Sequence, residues 1–252
     1  MSKGLLGRAI AIAGIVSGLL AIGLPFASGA RYVDDGTTLA FLLVLLSFAS
    51  WLPAEIGRDV LGAAAGAAAF GFFLFFPALT AFDHLGDLEA GAWLGLCTAL
   101  IPIGALVTRS GQRSSREPAT THRPARTLGG LGLPLALAGL VLVVVGIWLD
   151  AASEGGSYWN ISASGHAVGI LMLVLVVLNA ALLAAPTFAP ATKVGNLDLL
   201  VAAATFGFVE VGVISTAFGE FGSLGAGGWL EACAGTLLLI GVLKLRARAL
   251  GR

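Results

Sequence analysis

Two carboxylates stand where carboxylates are costly. Glu210 and Glu231 each lie inside a long apolar run, at 196–218 and 227–245. An ionisable side chain in such a run reads as a functional group, because hydrocarbon does not solvate its charge. Glu210 precedes the end of its run by about eight residues, and Glu231 follows the start of the next by about four. At about 1.5 Å per residue their depths differ by only about 6 Å. The two runs are consecutive, so their helices are expected to be neighbours and both carboxylates to face one pocket. Two close carboxylates in a medium of low dielectric resist double ionisation, so one keeps its proton. The chemistry that follows is an ion, proton or substrate site, and Asn179 and His166 complete the candidate set. The plainer reading has Glu231 reaching the interface and Glu210 protonated and bonded to a neighbouring helix, with Asn179, Ser215 and Thr216 as possible partners.

Other residue clusters carry less. His166 follows Tyr158-Trp159-Asn160-Ile161-Ser162. Such a loop either caps a cavity or, more ordinarily, anchors a helix at the headgroups. Asn160-Ile161-Ser162 is formally a glycosylation sequon, but the Ala/Gly/Arg-rich chain is bacterial in style and the sequon has little weight. Asp83-His84-x-x-Asp87-x-Glu89 offers oxygen ligands to a divalent cation, yet it lacks the spacing of a known loop and reads as a solvated turn; no metal is expected. Cys97 and Cys233 lie in apolar runs and read as small apolar residues that would approach one another only if a repeat axis passed between them. No lysine lies deep in a run and all three histidines are in or beside loops, which argues against a retinal Schiff base and a bis-His haem. The chain has no Gly-rich phosphate loop, His-Glu-x-x-His or Gly-x-Ser-x-Gly. Neither a cofactor nor an enzymatic activity is expected.

The elements that position these residues follow from composition. Of 252 residues, 58% are hydrophobic and 11% charged, with mean hydropathy +0.96. A soluble domain carries about 25% charged residues, so most of this surface is expected to face lipid. Net charge is zero, and no nucleic-acid partner follows from it. The expected partners are the bilayer itself and other membrane proteins or further copies of the chain. Apolar runs fall at 9–28, 37–54, 60–82, 91–108, 128–149, 165–186, 196–218 and 227–245. Each is long enough for a helix to cross a hydrocarbon core of about 30 Å. Strands would show shorter, alternating runs. The first run also has signal-peptide features, with Lys3 and Arg8 before it and Ala27-Ser28-Gly29-Ala30 after it. Its length and its later counterpart favour a span.

With the N-terminus inside, 13 of the 14 basic residues fall on the cytoplasmic side and only Arg31 falls outside. That asymmetry predicts a cell (plasma) membrane protein with both termini cytoplasmic.

The two halves resemble each other. At a constant offset of 136, residues 70–97 hold 13 identities in 28 positions, among them Trp93 with Trp229 and Cys97 with Cys233. Trp93 and Trp229 are expected as interfacial anchors. Gly14-x-x-x-Gly18, Gly62-x-x-x-Gly66 and Gly91-x-x-x-Gly95 suit close helix packing. Glu210 and Glu231 correspond to Leu74 and Gly95, so the acids belong to one half only. Pro77 and Pro102 are expected to kink helices of the first half only.

The expectation is an all-α polytopic membrane protein of about eight transmembrane helices. They form two parallel four-helix repeats, 1–109 and 128–252, joined by a cytoplasmic polar linker, 110–127. The function expected is a small-solute or ion permease with an acidic site in the second repeat. The alternative is a structural or accessory subunit of a membrane complex, or a lipid-handling protein.

Overall fold

The computed structural model describes residues 3–27, 30–31, 38–47, 58–81, 88–113, 130–149, 157, 163–188, 197–211 and 225–249. These residues are nearly all helical. The helices are α1 (Lys3–Gly23), α2 (Thr38–Ser47), α3 (Arg58–Ala81), α4 (Ala90–Leu96), α5 (Leu100–Arg113), α6 (Gly132–Trp148), α7 (Ala163–Phe188), α8 (Leu197–Phe206) and α9 (Ala226–Ala249). A 3-10 turn, Cys97–Ala99, joins α4 to α5 in one rod, and a π turn, Gly207–Val211, continues α8. Among the described residues four helical stretches are long and apolar enough to cross a membrane: Lys3–Gly23, Ala90–Thr108, His166–Ala185 and Ala226–Arg246. Val60–Phe75 and Gly132–Trp148 are shorter apolar helices. Large apolar side chains such as Val16, Leu20, Leu46, Val141, Val177 and Leu243 face outward. The composition and these helices are compatible with a membrane protein.

Local chemistry sets the helix ends. The run 9–28 predicts helix as far as Ser28, but α1 stops at Gly23. Pro25 disfavours helical backbone in the residue before it. Pro25–Ala27 instead pairs antiparallel with Ala30–Arg31, a short strand pair (β1, β2) where none was expected. Glu89 N–H donates to Phe26 O at 3.0 Å, which ties this turn to the start of α4. Gly91 permits that approach, since a Cβ there would lie 2.5 Å from the carbonyls of Leu24 and Pro25. The 3-10 turn has a cause in Pro102, which has no N–H for the carbonyl of Thr98 and crowds it. α5 runs on to Arg113, so the first residues of the polar stretch after 109 are helical. Gly130, at φ 114°, takes the left-handed conformation that leads into α6.

Two seams are the most extensive contacts. α1 lies along the α4–α5 rod, and α6 lies along α9. Both are glycine seams in which backbone meets backbone. In the first, Gly7 and Ala11 meet Gly104 and Thr108; in the second, Gly132 and Ala136 meet Gly241 and Leu245. Gly14 packs on Ile101, as Gly139 packs on Leu238. α3 joins the two halves by crossing α8 and its π turn. There the contacts are reciprocal: Gly71 abuts Ala204 and Phe208, and Gly207 abuts Ala68. Phe72, Phe75 and Phe208 fill the core around this crossing, with Phe75 and Phe208 edge to face at 5.5 Å.

Candidate functional site

Glu210 sits in the π turn that continues α8. Two features loosen the backbone there. The Thr205 hydroxyl donates back to Val201 O at 2.8 Å, a bond that tends to bend a helix. Gly207, without a side chain, lets α8 press on the backbone of α3. π turns inside helices recur at functional sites. The Glu210 side chain reaches across to α9, where Thr236 Oγ1 lies 2.6 Å from Oε1 and 2.7 Å from Oε2. A hydroxyl has one hydrogen, so Thr236 donates to one carboxylate oxygen at a time. Glu210 also lies on Gly235, where a Cβ would be 3.0 Å from Oε2.

Glu231 is fully buried in the other seam of α9. It fills the room left by Gly146 on α6, where a Cβ would lie 2.7 Å from Glu231 Cγ and 3.1 Å from Oε1. Both carboxylates thus touch α9, Glu231 on its α6 side and Glu210 on its α8 side. Glu231 lies about 8 Å along α9 from Ala226 and Thr236 about 15 Å.

Asn179 is buried on α7 and is bonded to Thr205 rather than to Glu210. Its Nδ2 donates to Thr205 Oγ1 and to Leu175 O, both at 2.8 Å. Thr205 is five residues before Glu210, so Asn179 joins α7 to the same helix one step away. Ser215 and Thr216 lie outside the described residues. His166 is exposed in the first turn of α7, away from this cluster in sequence. Trp93 and Trp229 occupy matching places, each the fourth residue of its helix, and both are about half exposed. Their amides donate to the carbonyls of Glu89 and Gly225. Cys97 is partly buried and Cys233 exposed. The crossing that joins the halves belongs to α3 and α8, not to the helices that carry them.

Sequence reasoning missed three participants. Thr236 had a usable signal: it lies about nine residues into its apolar run, at the depth of Glu210 in the preceding run. Thr205 had little, since a threonine in a helix most often bonds its own backbone. Asp198 had the clearest signal, an acid on the side where the basic residues collect. It is buried at the start of α8 and forms an ion pair with Arg246 near the end of α9. Its Oδ1 also accepts the Leu199 amide at 2.9 Å.

Among the described residues, side-chain bonds of another kind occur in the first half. The hydroxyls of Ser47, Thr98 and Thr108 donate to carbonyls of their own helices. In the second half, Glu210, Thr236, Asn179, Thr205, Asp198 and Arg246 all bond between helices. Asp83, His84 and Asp87 of the acidic turn lie outside the described residues, and among the described residues no group of three or more metal-ligating side chains forms. The chain matches no protein-family model, no curated protein and no solved structure.

Proposed function

We propose that the chain is a permease for a proton or small cation, with Glu210 as the binding carboxylate. The observation that carries this reading is the Glu210–Thr236 contact. It puts a buried carboxylate about 15 Å along a membrane-length helix, near the middle of a hydrocarbon core of about 30 Å. Carboxylates at such depth mark ion pathways and proton relays. Glu231, buried on the α6 side of the same helix about 8 Å nearer its start, is the second acid of the candidate site. The first half has Leu74 and Gly95 in place of the two acids, so packing alone does not require them.

The architecture that goes with this reading is two parallel four-helix units in the plasma membrane, with both termini cytoplasmic. Three matched sets of contacts support it: the two glycine seams, the reciprocal crossing at Gly71 and Gly207, and the matched Trp93 and Trp229. Reciprocity of this kind is what a two-fold axis between similar surfaces generates. The axis then runs along the membrane normal beside Glu210. The first unit is the scaffold, and the second carries the path.

The test is flux in proteoliposomes under an imposed proton or monovalent-cation gradient. Glu210→Gln keeps the shape and an oxygen for Thr236 but removes the charge, and is expected to abolish flux. Glu231→Gln is expected to reduce it. Unchanged flux in both variants discards the reading and favours an accessory subunit.

A further inference from the structure

α8 and α9 are fastened at two polar points. One is Glu210–Thr236. The other is Asp198–Arg246, about 15 Å further along α9. Between them on α8 stands Thr205, seven residues from Asp198 and so on the same face, held by Asn179 of α7. The polar side chains along α8 therefore form a file from Glu210 past Thr205 to Asp198. Arg246 is the group at its end.

The ion pair is not explained by packing. Asp198 is 4% exposed and the Arg246 side chain 17% exposed. Withdrawing two charges from water is expensive, and apolar replacements of such a pair are often as stable or more so. A pair kept despite its desolvation, on the seam that holds the binding carboxylate, is suited to a contact that opens.

We propose that Asp198 and Arg246 form the inner gate of the path that Glu210 serves. This rests on the permease reading above. With the guanidinium on Asp198 the seam between α8 and α9 is closed below Thr205. When the two separate, water and the transported cation reach Thr205 and Glu210 from the Arg246 end. Asp198 is then the first carboxylate that the cation meets from that end, and Arg246 is the tethered cation it displaces. The two residues act by opening and closing the path.

The test reads opening directly, without transport. Thr205→Cys is placed in a chain carrying Cys97→Ser and Cys233→Ser, and a charged, membrane-impermeant thiol reagent is applied to each face of reconstituted vesicles in turn. With the pair intact, labelling is expected to be slow from both faces. Asp198→Asn is expected to speed labelling at least tenfold from the Arg246 face only. The exchanged pair, Asp198→Arg with Arg246→Asp, is expected to return it to the slow rate. Arg246→Gln opens the same seam from the other partner, so the test survives if one variant fails to fold. Labelling no faster in both single variants, or equally faster from both faces, overturns the gate. The outcome is separable from the permease reading: if Glu210→Gln abolishes flux while the pair leaves labelling unchanged, only the gate is lost.

Discussion

The crossing of α3 and α8 makes a quantitative demand. A Cβ on Gly71 would lie 2.7 Å from Phe208 N, and one on Gly207 would lie 2.8 Å from Ala68 Cα, each with a still closer carbonyl on the facing backbone. Ordinary contact begins at 3.4 Å. Because the facing carbonyls are the nearest atoms, a single methyl must part the two backbones by more than about 1 Å, and a gap of about 0.5–1 Å already forfeits a quarter to a half of each dispersion contact it opens. Overpacking of this kind typically costs about 1–3 kcal/mol and occasionally more, and we expect Gly71→Ala and Gly207→Ala each to cost about 3 kcal/mol or more. The two are not independent. Gly71 presses on the α8 turn that holds Gly207, and Gly207 presses on the α3 turn that ends at Gly71. Once the helices have parted for one methyl, the second finds much of its room already made. The double variant should cost less than the sum by about 1 kcal/mol, well beyond the roughly 0.5 kcal/mol scatter of independent sites. Gly139→Ala is the control: it sits in the α6–α9 seam against Ala234 and Leu238 and should add to Gly71→Ala. The assay is reversible unfolding in mixed micelles, with all variants titrated under one condition. If the Gly71/Gly207 double is as additive as the control, the two glycines do not share one contact and the two-fold argument fails with them.

Two further predictions concern the carboxylates. In a cycle of Glu210→Gln and Thr236→Val, removing the hydroxyl should cost about 0.6–1.7 kcal/mol, the range for hydrogen bonds between helices in membranes. Gln retains an acceptor, so Glu210→Gln alone should change stability by less than this while ending flux. A matched loss of both would show that the carboxylate is only a fastening. Gly146→Ala should cost about 1–3 kcal/mol because its methyl meets Glu231. In a Glu231→Gly background the same change should cost less than half as much, and an undiminished cost would mean that the methyl strikes something else.

The helices were legible because lipid imposes one period and one length on every span. Each apolar run from 37–54 to 227–245 holds one of the helical rods that follow α1, and of the glycines expected at close approaches Gly14, Gly18, Gly66 and Gly95 meet a neighbouring helix, while Gly91 meets the chain just after α1. The ends were less legible. Gly23 and Pro25 stop α1 early, and the stretch after them pairs as strands through a local turn that hydropathy does not register. The candidate site was half legible. A carboxylate in an apolar run announces itself, whereas its partner does not. Asn179 was expected near Glu210 and reaches Thr205 instead, because a polar side chain bonds what lies at its own depth and facing, and one-dimensional spacing fixes only the depth.

A difference between the halves that the sequence leaves unexplained has a geometric account. The offset is 136 up to Cys97 and Cys233, but the seam residues beyond them, Gly104 and Gly241, differ by 137. The second helix has one residue more, yet both glycines meet equivalent turns, at Gly7 with Ala11 and at Gly132 with Ala136. The 3-10 turn reconciles this. From Cys97 to Gly104 is seven residues, three of them in the tighter coil at about 2.0 Å each, and from Cys233 to Gly241 is eight residues of α-helix at about 1.5 Å each; both rise about 12 Å. Pro102 is what holds the tight turn in place, so its expected kink takes the form of a shortened count rather than a break in the seam. Replacing Pro102 with Ala therefore removes the reason for the 3-10 turn but not the need for it, because a fully α-helical segment of seven residues would bring Gly104 about 1.5 Å short of Gly7. The seam, not the proline alone, fixes the pitch. On this argument Pro102→Ala keeps the α1 seam and Gly104→Ala breaks it, although it is the proline that looks the more disruptive residue in the sequence.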